Sequence, residues 1–341
     1  MDGVRGGATA AGALLLGVLV LALGLTAAGY DAGAALAALW RGAFGSWYAL
    51  TSATLVRAVP LIIIGLGLAL AFRAGAFNIG AEGQFYAGAI AATWVGSHLA
   101  AVPRPASLLL VAGAALAAGA AWVALPVLLR VHYGVTEVIS TLVLNFVAES
   151  LVSLAVQGPL QERSGIYPQS DPIALPARLP LLTGRLHAGA LVAVLGPVAL
   201  WYLFARTMQG FRLRVVGAGP RAAEISGRID AGRTLAWALL GSGAIAGLAG
   251  GVEVSGVSYA LFQNLSPGYG FTAIAVALLA RLHPLGVVGA GVLFGALEAG
   301  AGAMQREAGV PAVAVYVVEA VVILAVILAD AVRRSGEGGR E

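Results

Sequence analysis

The basic segment from Arg206 to Arg233 reads RTMQGFRLRVVGAGPRAAEISGRIDAGR and separates long apolar stretches of the chain. It contains six arginines and two acidic residues, so its net charge of +4 equals the formal charge of the whole chain. Positive residues that flank apolar helices mark the cytoplasmic side of a membrane protein. We therefore predict that this basic segment, residues 206–233, is a cytoplasmic loop of a protein that otherwise lies in a bilayer.

The overall composition agrees with a membrane protein. The 341 residues are 60% apolar and 11% charged, whereas a soluble domain carries about 25% charged residues. All 20 basic residues are arginines and cysteine is absent, which excludes disulfides, cysteine catalysis and a phosphate-binding loop lysine. A function that needs ATP must therefore rely on a partner protein to hydrolyse it.

Apolar runs of about 20 residues predict membrane-spanning helices. We predict an all-α, polytopic fold, a single transmembrane domain over residues 1–341, with broken or re-entrant segments. The predicted spans, about ten in number, are residues 8–29, 51–72, 84–101, 106–129, 137–156, 187–205, 235–252, 271–280, 285–303 and 310–329. The arginine distribution predicts that the N- and C-termini are cytoplasmic and that the proline-rich loop at 157–186 is external.

Two glycine-rich polar breaks interrupt the apolar runs. The first reads FNIGAEGQ at residues 77–84, and the second reads NLSPGYGF at residues 264–271. Corresponding breaks in two halves of a chain indicate a translocation pathway, so we predict pseudo-repeat halves at 51–157 and 234–330. The candidate pathway residues are Phe77, Asn78, Glu82, Gln84, Asn145, Tyr269 and Phe271.

Each candidate also has a purely structural interpretation. Asn78 and Glu82 lie among glycines that allow close backbone approach. A contact with the solute and a role in a compact turn that caps a helix are therefore equally consistent with their positions. The aromatic and amide candidates are equally consistent with packing.

Other polar residues are interpreted structurally. Glu137 and Glu253 flank predicted helix ends, which favours positions reached by water. Ser242 and His283 resemble a serine–histidine pair, but the Gly-x-Ser-x-Gly spacing is missing and the glycines around Ser242 favour helix packing, as in Gly243, Gly247 and Gly251. The four histidines lack metal-ligand spacing. We therefore predict no catalytic site and no metal site.

The basic segment contains a distinct local pattern. Gly217, Gly219 and Pro220 predict a turn, and Pro220 begins a short helix, residues 220–226, which Gly227 ends. A helix this short and polar is not stable alone. A docking element for another protein therefore explains the pattern better than an ordinary basic loop.

The motifs GFRLRVVG at 210–217 and PRAAEISG at 220–227 resemble the coupling segment of bacterial ABC-importer permeases. The subgroup that they resemble serves branched-chain amino acids, simple sugars and nucleosides. The block at 77–84 is similar to that of nucleoside and simple-sugar permeases that work with lipoprotein receptors of the basic-membrane-protein type, and TEVISTL at 136–142 and GYGF at 268–271 agree. Two departures are Gly219, where the family often has asparagine, and His283, where it tends to have a polar residue.

This resemblance implies a complex in the bacterial cytoplasmic (inner) membrane. A second permease, expected to be a paralogue, would complete the pathway, two cytoplasmic ABC ATPases would bind ATP and magnesium, and a lipoprotein receptor would meet the external loop. This chain would bind no cofactor itself. The implied coupling residues are Gly210, Arg212, Arg214, Gly217, Pro220, Arg221, Ala223, Glu224 and Gly227. The alternative function is an ATP-independent secondary transporter or channel for a small polar solute.

Overall fold

The computed structural model describes residues 2–225 and 229–311, together with residues 313, 314, 316, 317, 320, 321 and 324. This part of the chain is mainly helical. It forms two compact units, of which one comprises residues 59–291 and the other residues 1–58 with 292–341.

The helices follow one another along the chain with one small hairpin among them. They are α1 (Asp2–Ala27), α2 (Ala32–Phe44), α3 (Trp47–Ala49), α4 (Leu55–Arg73), α5 (Ala81–Ser97), α6 (Arg104–Tyr133), α7 (Glu137–Gln157), α8 (Gly189–Arg206), α9 (Met208–Ala218), α10 (Pro220–Ile225), α11 (Ala231–Glu253), α12 (Tyr269–Leu279) and α13 (Pro284–Ala308). Two π-helical turns, Leu50–Thr54 and Val254–Ser258, extend α3 and α11. The antiparallel hairpin of β1 (Leu181–Thr183) and β2 (Leu186–His187) lies between α7 and α8.

Six helical stretches of the described residues are long and apolar enough to cross a membrane. They are Trp47–Arg73, Arg104–Tyr133, Glu137–Gln157, Gly189–Arg206, Ala231–Ser258 and Pro284–Ala308. Shorter apolar helices occupy Leu15–Ala27 and Tyr269–Leu279. The predicted helical, polytopic membrane fold is thus confirmed, while the count of ten spans and the orientation of the termini remain predictions. The predicted span at 310–329 lies largely outside the described residues.

The basic segment is more helical than its sequence predicts. Gly217, expected in a turn, lies inside α9. The helix begins after Thr207, whose hydroxyl accepts a hydrogen bond from Gly210 N at 3.1 Å, and the leucine and arginines that follow favour helix. The short helix expected at 220–226 is present as α10, which begins at Pro220.

The predicted span at 187–205 begins too early, because His187 belongs to β2 and α8 begins at Gly189. The His187 Nδ1 accepts a hydrogen bond from Gly189 N at 3.2 Å. Its ring lies against Gly256, where a Cβ would overlap the imidazole. Burial lowers the pKa of His187 to about 4.

Glycines bring α5, α6 and α11 into backbone contact at the centre of the 59–291 unit. Gly247 of α11 meets α6, and Gly250 meets α5, so closely that a Cβ on either would overlap the neighbouring backbone. Gly119 of α6 and Gly88 of α5 face α11 under the same constraint. Lipid supplies little hydrophobic force between helices, so close packing of small residues is what holds them. The predicted packing role of the α11 glycines is confirmed.

In the other unit, α1, α2 and the later part of α13 share an apolar core. Its buried members include Leu21, Leu25, Leu297 and Met304. At the surface of this unit, Arg41 pairs with Glu307 at 2.8 Å, but both side chains are about half exposed, and such a pair contributes little to stability.

The external loop predicted at 157–186 is ordered by pairing with the chain that follows α11. The backbone bonds run from Ser170 N to Leu261 O, from Ile173 N to Tyr259 O and from Leu179 N to Ser255 O, each at 2.8 Å. The Arg178 guanidinium lies 4.8 Å from the centre of the Tyr259 ring, which adds a cation–π contact. This loop therefore runs along the segment that leads into the second break.

We predict that Gly247→Ala lowers the free energy of unfolding by about 1–3 kcal/mol, because the added methyl group overlaps the α6 backbone and overpacking costs this much. Gly113→Ala on α6 is the matched control, since a Cβ there meets nothing within 4 Å. Thermal unfolding of the purified protein in detergent measures both variants. Equal stability of the two would contradict the packing described for α11.

We also predict that stability falls as the pH drops from about 6.5 to about 4. The pKa of His187 is lowered from 6.5 to about 4 in the folded protein, so the unfolded state binds more protons in this window and is favoured by acid. The loss approaches roughly 3 kcal/mol near pH 4, since one pKa unit corresponds to about 1.36 kcal/mol.

Unfolding curves between pH 7 and pH 4 measure this effect. His187→Asn keeps an acceptor near Gly189 N and does not titrate, so its slope should be flatter. Hydrogen bonds from Gln169 and Ser164 lower the pKa of Glu162 from 4.5, so the contribution of this carboxylate is present above about pH 4.5 and is lost as the pH falls below that value. An unchanged slope in His187→Asn would show that another group is responsible.

Candidate functional site

The first break, residues 77–84, is held by one face of α7. Glu137, Thr141 and Asn145 recur every four residues and so share that face. The bonds run from Phe77 N to Glu137 Oε1 at 3.1 Å, from Ile79 N to Thr141 Oγ1 at 3.2 Å and from Gly83 N to Asn145 Oδ1 at 2.8 Å. Asn145 Nδ2 also donates to Ile79 O at 2.9 Å. The face thus supplies the partners that a broken helix needs inside a membrane.

Glu137 is buried, which corrects its interpretation as a solvated helix end. It is 6% exposed, and Arg130 at the end of α6 forms an ion pair with its second oxygen. Glu253 is also 6% exposed. Glu137 does begin α7, whereas Glu253 is followed by the π-helical turn that extends α11. Tertiary packing covers both residues, and sequence position alone does not show such coverage.

Asn78 is fully buried within the first break. Its Nδ2 donates to Gln84 Oε1 at 2.8 Å and to Ser242 Oγ at 2.9 Å. Its Oδ1 accepts from Gln84 Nε2 at 2.9 Å and from Gly80 N at 3.0 Å. The amide therefore uses its full hydrogen-bonding capacity inside the protein. This geometry fits a compact helix-capping turn, and solute contact by Asn78 or Gln84 remains a prediction.

The two glycine-rich breaks meet at Glu82. Its Oε2 accepts a hydrogen bond from Gly270 N at 2.6 Å, and Ser266 bonds the same carboxylate. Gly268 precedes α12 with a φ of +100°, a conformation that glycine adopts without strain. Gly270 lies so close to the Glu82 backbone that a Cβ would overlap it. One carboxylate therefore lies in the first turn of α5 and at the N-terminus of α12, where a negative charge is favoured.

A polar cavity of about 190 Å³ opens beside this contact. Its lining includes Glu82, Asn145, Phe146, Glu149, Asn264 and Phe271. Carboxylate and amide groups that accept hydrogen bonds line it together with aromatic rings. The cavity can therefore hold a small solute that carries hydroxyl groups and a flat apolar face.

The structure brings three of the seven predicted pathway residues to this cavity, namely Glu82, Asn145 and Phe271. Tyr269 is buried with its ring 6.0 Å from that of Phe85, and Phe77 is about half exposed but does not line the cavity.

Several residues that line the cavity were not predicted from the sequence as solute contacts, among them Phe146 and Asn264. Glu149 follows Asn145 by four residues on α7 and thus faces the same way. Glu149 also carries a charge inside the predicted span 137–156, which makes it a candidate for such a lining from the sequence alone.

Two glycines of α9 bring the basic segment into close contact with the ends of α4 and α8. Gly210 and Gly217, seven residues apart on α9, lie on one face. A Cβ on Gly210 would overlap Leu203 O of α8, and a Cβ on Gly217 would overlap Arg73 O of α4. Arg214 Nη1 donates to the carbonyl of Phe204 on α8. α9 therefore lies in close backbone contact with the ends of α4 and α8.

Helix α10 has one buried and one exposed side. Ala223 is 1% exposed and packs with Val216 and Ala231. Ile225 points outward and is 87% exposed. The predicted coupling residues Pro220, Arg221 and Glu224 are exposed as well. Arg212 is half-buried, and Gly227 lies outside the described residues.

Two broken helices that meet at a polar cavity form the arrangement in which many membrane transporters bind their solutes. Residues 50–327 match the family described as "Branched-chain amino acid transport system / permease component". This match covers most of the chain, so the chain belongs to that family of ABC transporter permeases.

Individual relatives agree with this assignment. The chain is 37% identical over 330 residues to the guanosine ABC transporter permease protein NupP of Bacillus subtilis, covering 94% of this chain and 93% of that protein. It is 41% identical over 292 residues to the glucose ABC transporter permease protein TsgB13 of Haloferax volcanii, covering 82% and 76%. It is 33% identical over 324 residues to the nucleoside ABC transporter permease protein NupB of Lactococcus lactis subsp. cremoris, covering 91% and 88%. No solved structure matches the chain.

We predict that Glu82→Ala lowers the free energy of unfolding by about 1–3 kcal/mol, because it leaves the buried Gly270 N–H without its partner. Hydrogen exchange should become faster at the start of α12. Glu149→Ala is the matched control, since this exposed carboxylate lines the same cavity. Equal protection of the α12 amides in both variants would contradict the role given to Glu82.

Proposed function

We propose that this chain is the permease subunit of an ABC importer and forms half of the translocation pathway for a nucleoside or a simple sugar. The observation that carries the proposal is the hydrogen bond from Gly270 N to Glu82, which joins the two broken helices beside a polar cavity. Family membership over residues 50–327 supports it. The complex resides in the bacterial cytoplasmic membrane, with both termini of this chain in the cytoplasm.

The chemistry of the cavity matches a neutral, hydroxyl-rich solute. Hydroxyl groups of a ribose or hexose donate hydrogen bonds to carboxylates such as Glu149, and the exposed rings of Phe146 and Phe271 offer faces for a base or a sugar ring. A volume of about 190 Å³ leaves little room for a whole nucleoside. A second permease, expected to be a paralogue, completes the site from its own cavity.

ATP is bound and hydrolysed by two partner ATPases, together with magnesium. The outward side of α10 docks onto an ATPase, and closure of the ATPases moves α9 with it. Because α9 contacts the ends of α4 and α8 through Gly217 and Gly210, the movement reaches the spanning helices. ATP binding thereby favours one of two states, which is what a ligand must do to drive a conformational change.

The solute receptor docks on the outer side, at the loop of residues 157–186. Exposed apolar side chains on this loop include Ile166 at 72% and Leu175 at 68%. The same loop pairs with residues 255–262, which lead directly into the second break. Receptor docking therefore acts on the wall of the cavity that contains Asn264 and Gly268.

We predict that Ile225→Asp weakens binding of the ATPase about 30-fold or more and abolishes ATP-driven uptake. A central apolar anchor of an interface is worth about 2 kcal/mol or more, and Ile225 is the largest exposed apolar side chain of α10. Co-purification of the ATPase with the permease measures the effect.

Ile225→Leu should retain binding, because it keeps the apolar contact. Ile166→Asp on the external loop is the matched control, since it changes another strongly exposed isoleucine and should leave ATPase binding intact. Loss of ATPase binding in Ile166→Asp, or normal binding in Ile225→Asp, would argue against docking through α10.

Uptake by proteoliposomes tests the proposed function itself. Vesicles that contain this chain, the second permease, the ATPases and the receptor should accumulate radiolabelled guanosine or glucose only when ATP is supplied to the ATPase side. Vesicles that contain this chain alone should accumulate neither solute. ATP-independent uptake by the chain alone would favour a secondary transporter or channel instead.

A further inference from the structure

A second, larger cavity lies where α8 ends, α9 and α11 begin and α4 approaches its end. Its volume is about 620 Å³. It lies apart from the polar cavity at the two breaks, with which it shares no lining residue.

The lining of this larger cavity is divided by depth along the helices. The polar residues lie in the first half of α9 and the first turn of α11 and include Gln209, Arg212, Arg233 and Thr234. The residues about one turn further into the spans are apolar and include Leu70, Leu203 and Trp237. Trp237 is 73% exposed, and exposed tryptophan is typical of the membrane–water interface.

The polar rim carries a net positive charge. Asp230 caps α11 by accepting from Arg233 N at 2.9 Å, and its carboxylate pairs with Arg233 Nε at 3.2 Å. That pair uses one of the five donors of the Arg233 guanidinium. Arg212 forms no salt bridge with any acidic residue of the described chain. Two arginines and one aspartate leave the rim at +1.

We propose that this cavity binds the headgroup of an anionic phospholipid. The phosphodiester lies between Arg212 and Arg233, and an acyl chain runs along Leu203 and Trp237. A phosphodiester carries a single negative charge, which matches the rim. Basic pockets between spanning helices at the membrane boundary bind lipids of this class, whereas a free phosphate ion would make no use of the apolar half.

The test is native mass spectrometry of the purified full-length chain with phosphatidylglycerol, and with phosphatidylcholine as the neutral lipid. Each arginine near a membrane surface contributes about fivefold in affinity for an anionic lipid. Arg212→Gln and Arg233→Gln should each weaken phosphatidylglycerol binding about fivefold, and the double variant about 30-fold. Phosphatidylcholine should bind less tightly than phosphatidylglycerol and equally to all variants.

Arg206→Gln is the matched control, because it removes the same charge from the same basic segment but does not line the cavity. It should bind phosphatidylglycerol within about twofold of the unchanged protein. An equal loss in Arg206→Gln, or no loss in the double variant, would overturn the proposal.

Competition separates a lipid from a free anion. Inorganic phosphate and the deacylated headgroup glycerophosphoglycerol should not displace phosphatidylglycerol, because neither fills the apolar half of the cavity. Displacement by either at concentrations comparable to that of the lipid would show a free-anion site and overturn the assignment to a phospholipid.

Discussion

The contact between the two broken helices depends on one side chain, the carboxylate of Glu82. It lies in the first turn of α5 and accepts a hydrogen bond from Gly270 N in the first turn of α12. Lipid offers no partner to a backbone N–H, so a helix can begin inside the bilayer only where the protein supplies an acceptor. The polar cavity opens beside this same carboxylate, which links the stability of the breaks to the place where a solute would bind.

Close backbone contacts extend this arrangement to both ends of the 59–291 unit. Gly247 and Gly250 set α11 against α6 and α5. At one end, Gly210 and Gly217 set α9 against α8 and α4. At the other end, the loop of residues 157–186 pairs with the residues that follow α11. Packed interiors transmit displacement because they have few voids, so this unit has the contacts needed to connect a docking event at either end with the cavity.

Local sequence signals predicted some of these features and long-range contacts determined the rest. Pro220, which precedes a short polar run, predicted the start of α10, because proline restricts its own backbone conformation whatever the rest of the fold. The helix α9 was missed because Gly210 and Gly217 looked like loop residues, and their use in close contact depends on helices distant in the chain. The face of α7 had a visible signal, the four-residue spacing of Glu137, Thr141 and Asn145, but nothing local identifies the first break as their partner.

The most direct test of coupling through α10 uses the absence of native cysteine, which makes Ile225→Cys a unique labelling site. A membrane-impermeant maleimide should label this residue in inside-out vesicles and leave it unlabelled in right-side-out vesicles. Addition of the partner ATPase should protect it from labelling. Labelling from the outer side, or unchanged labelling with the ATPase bound, would contradict a cytoplasmic docking role for α10.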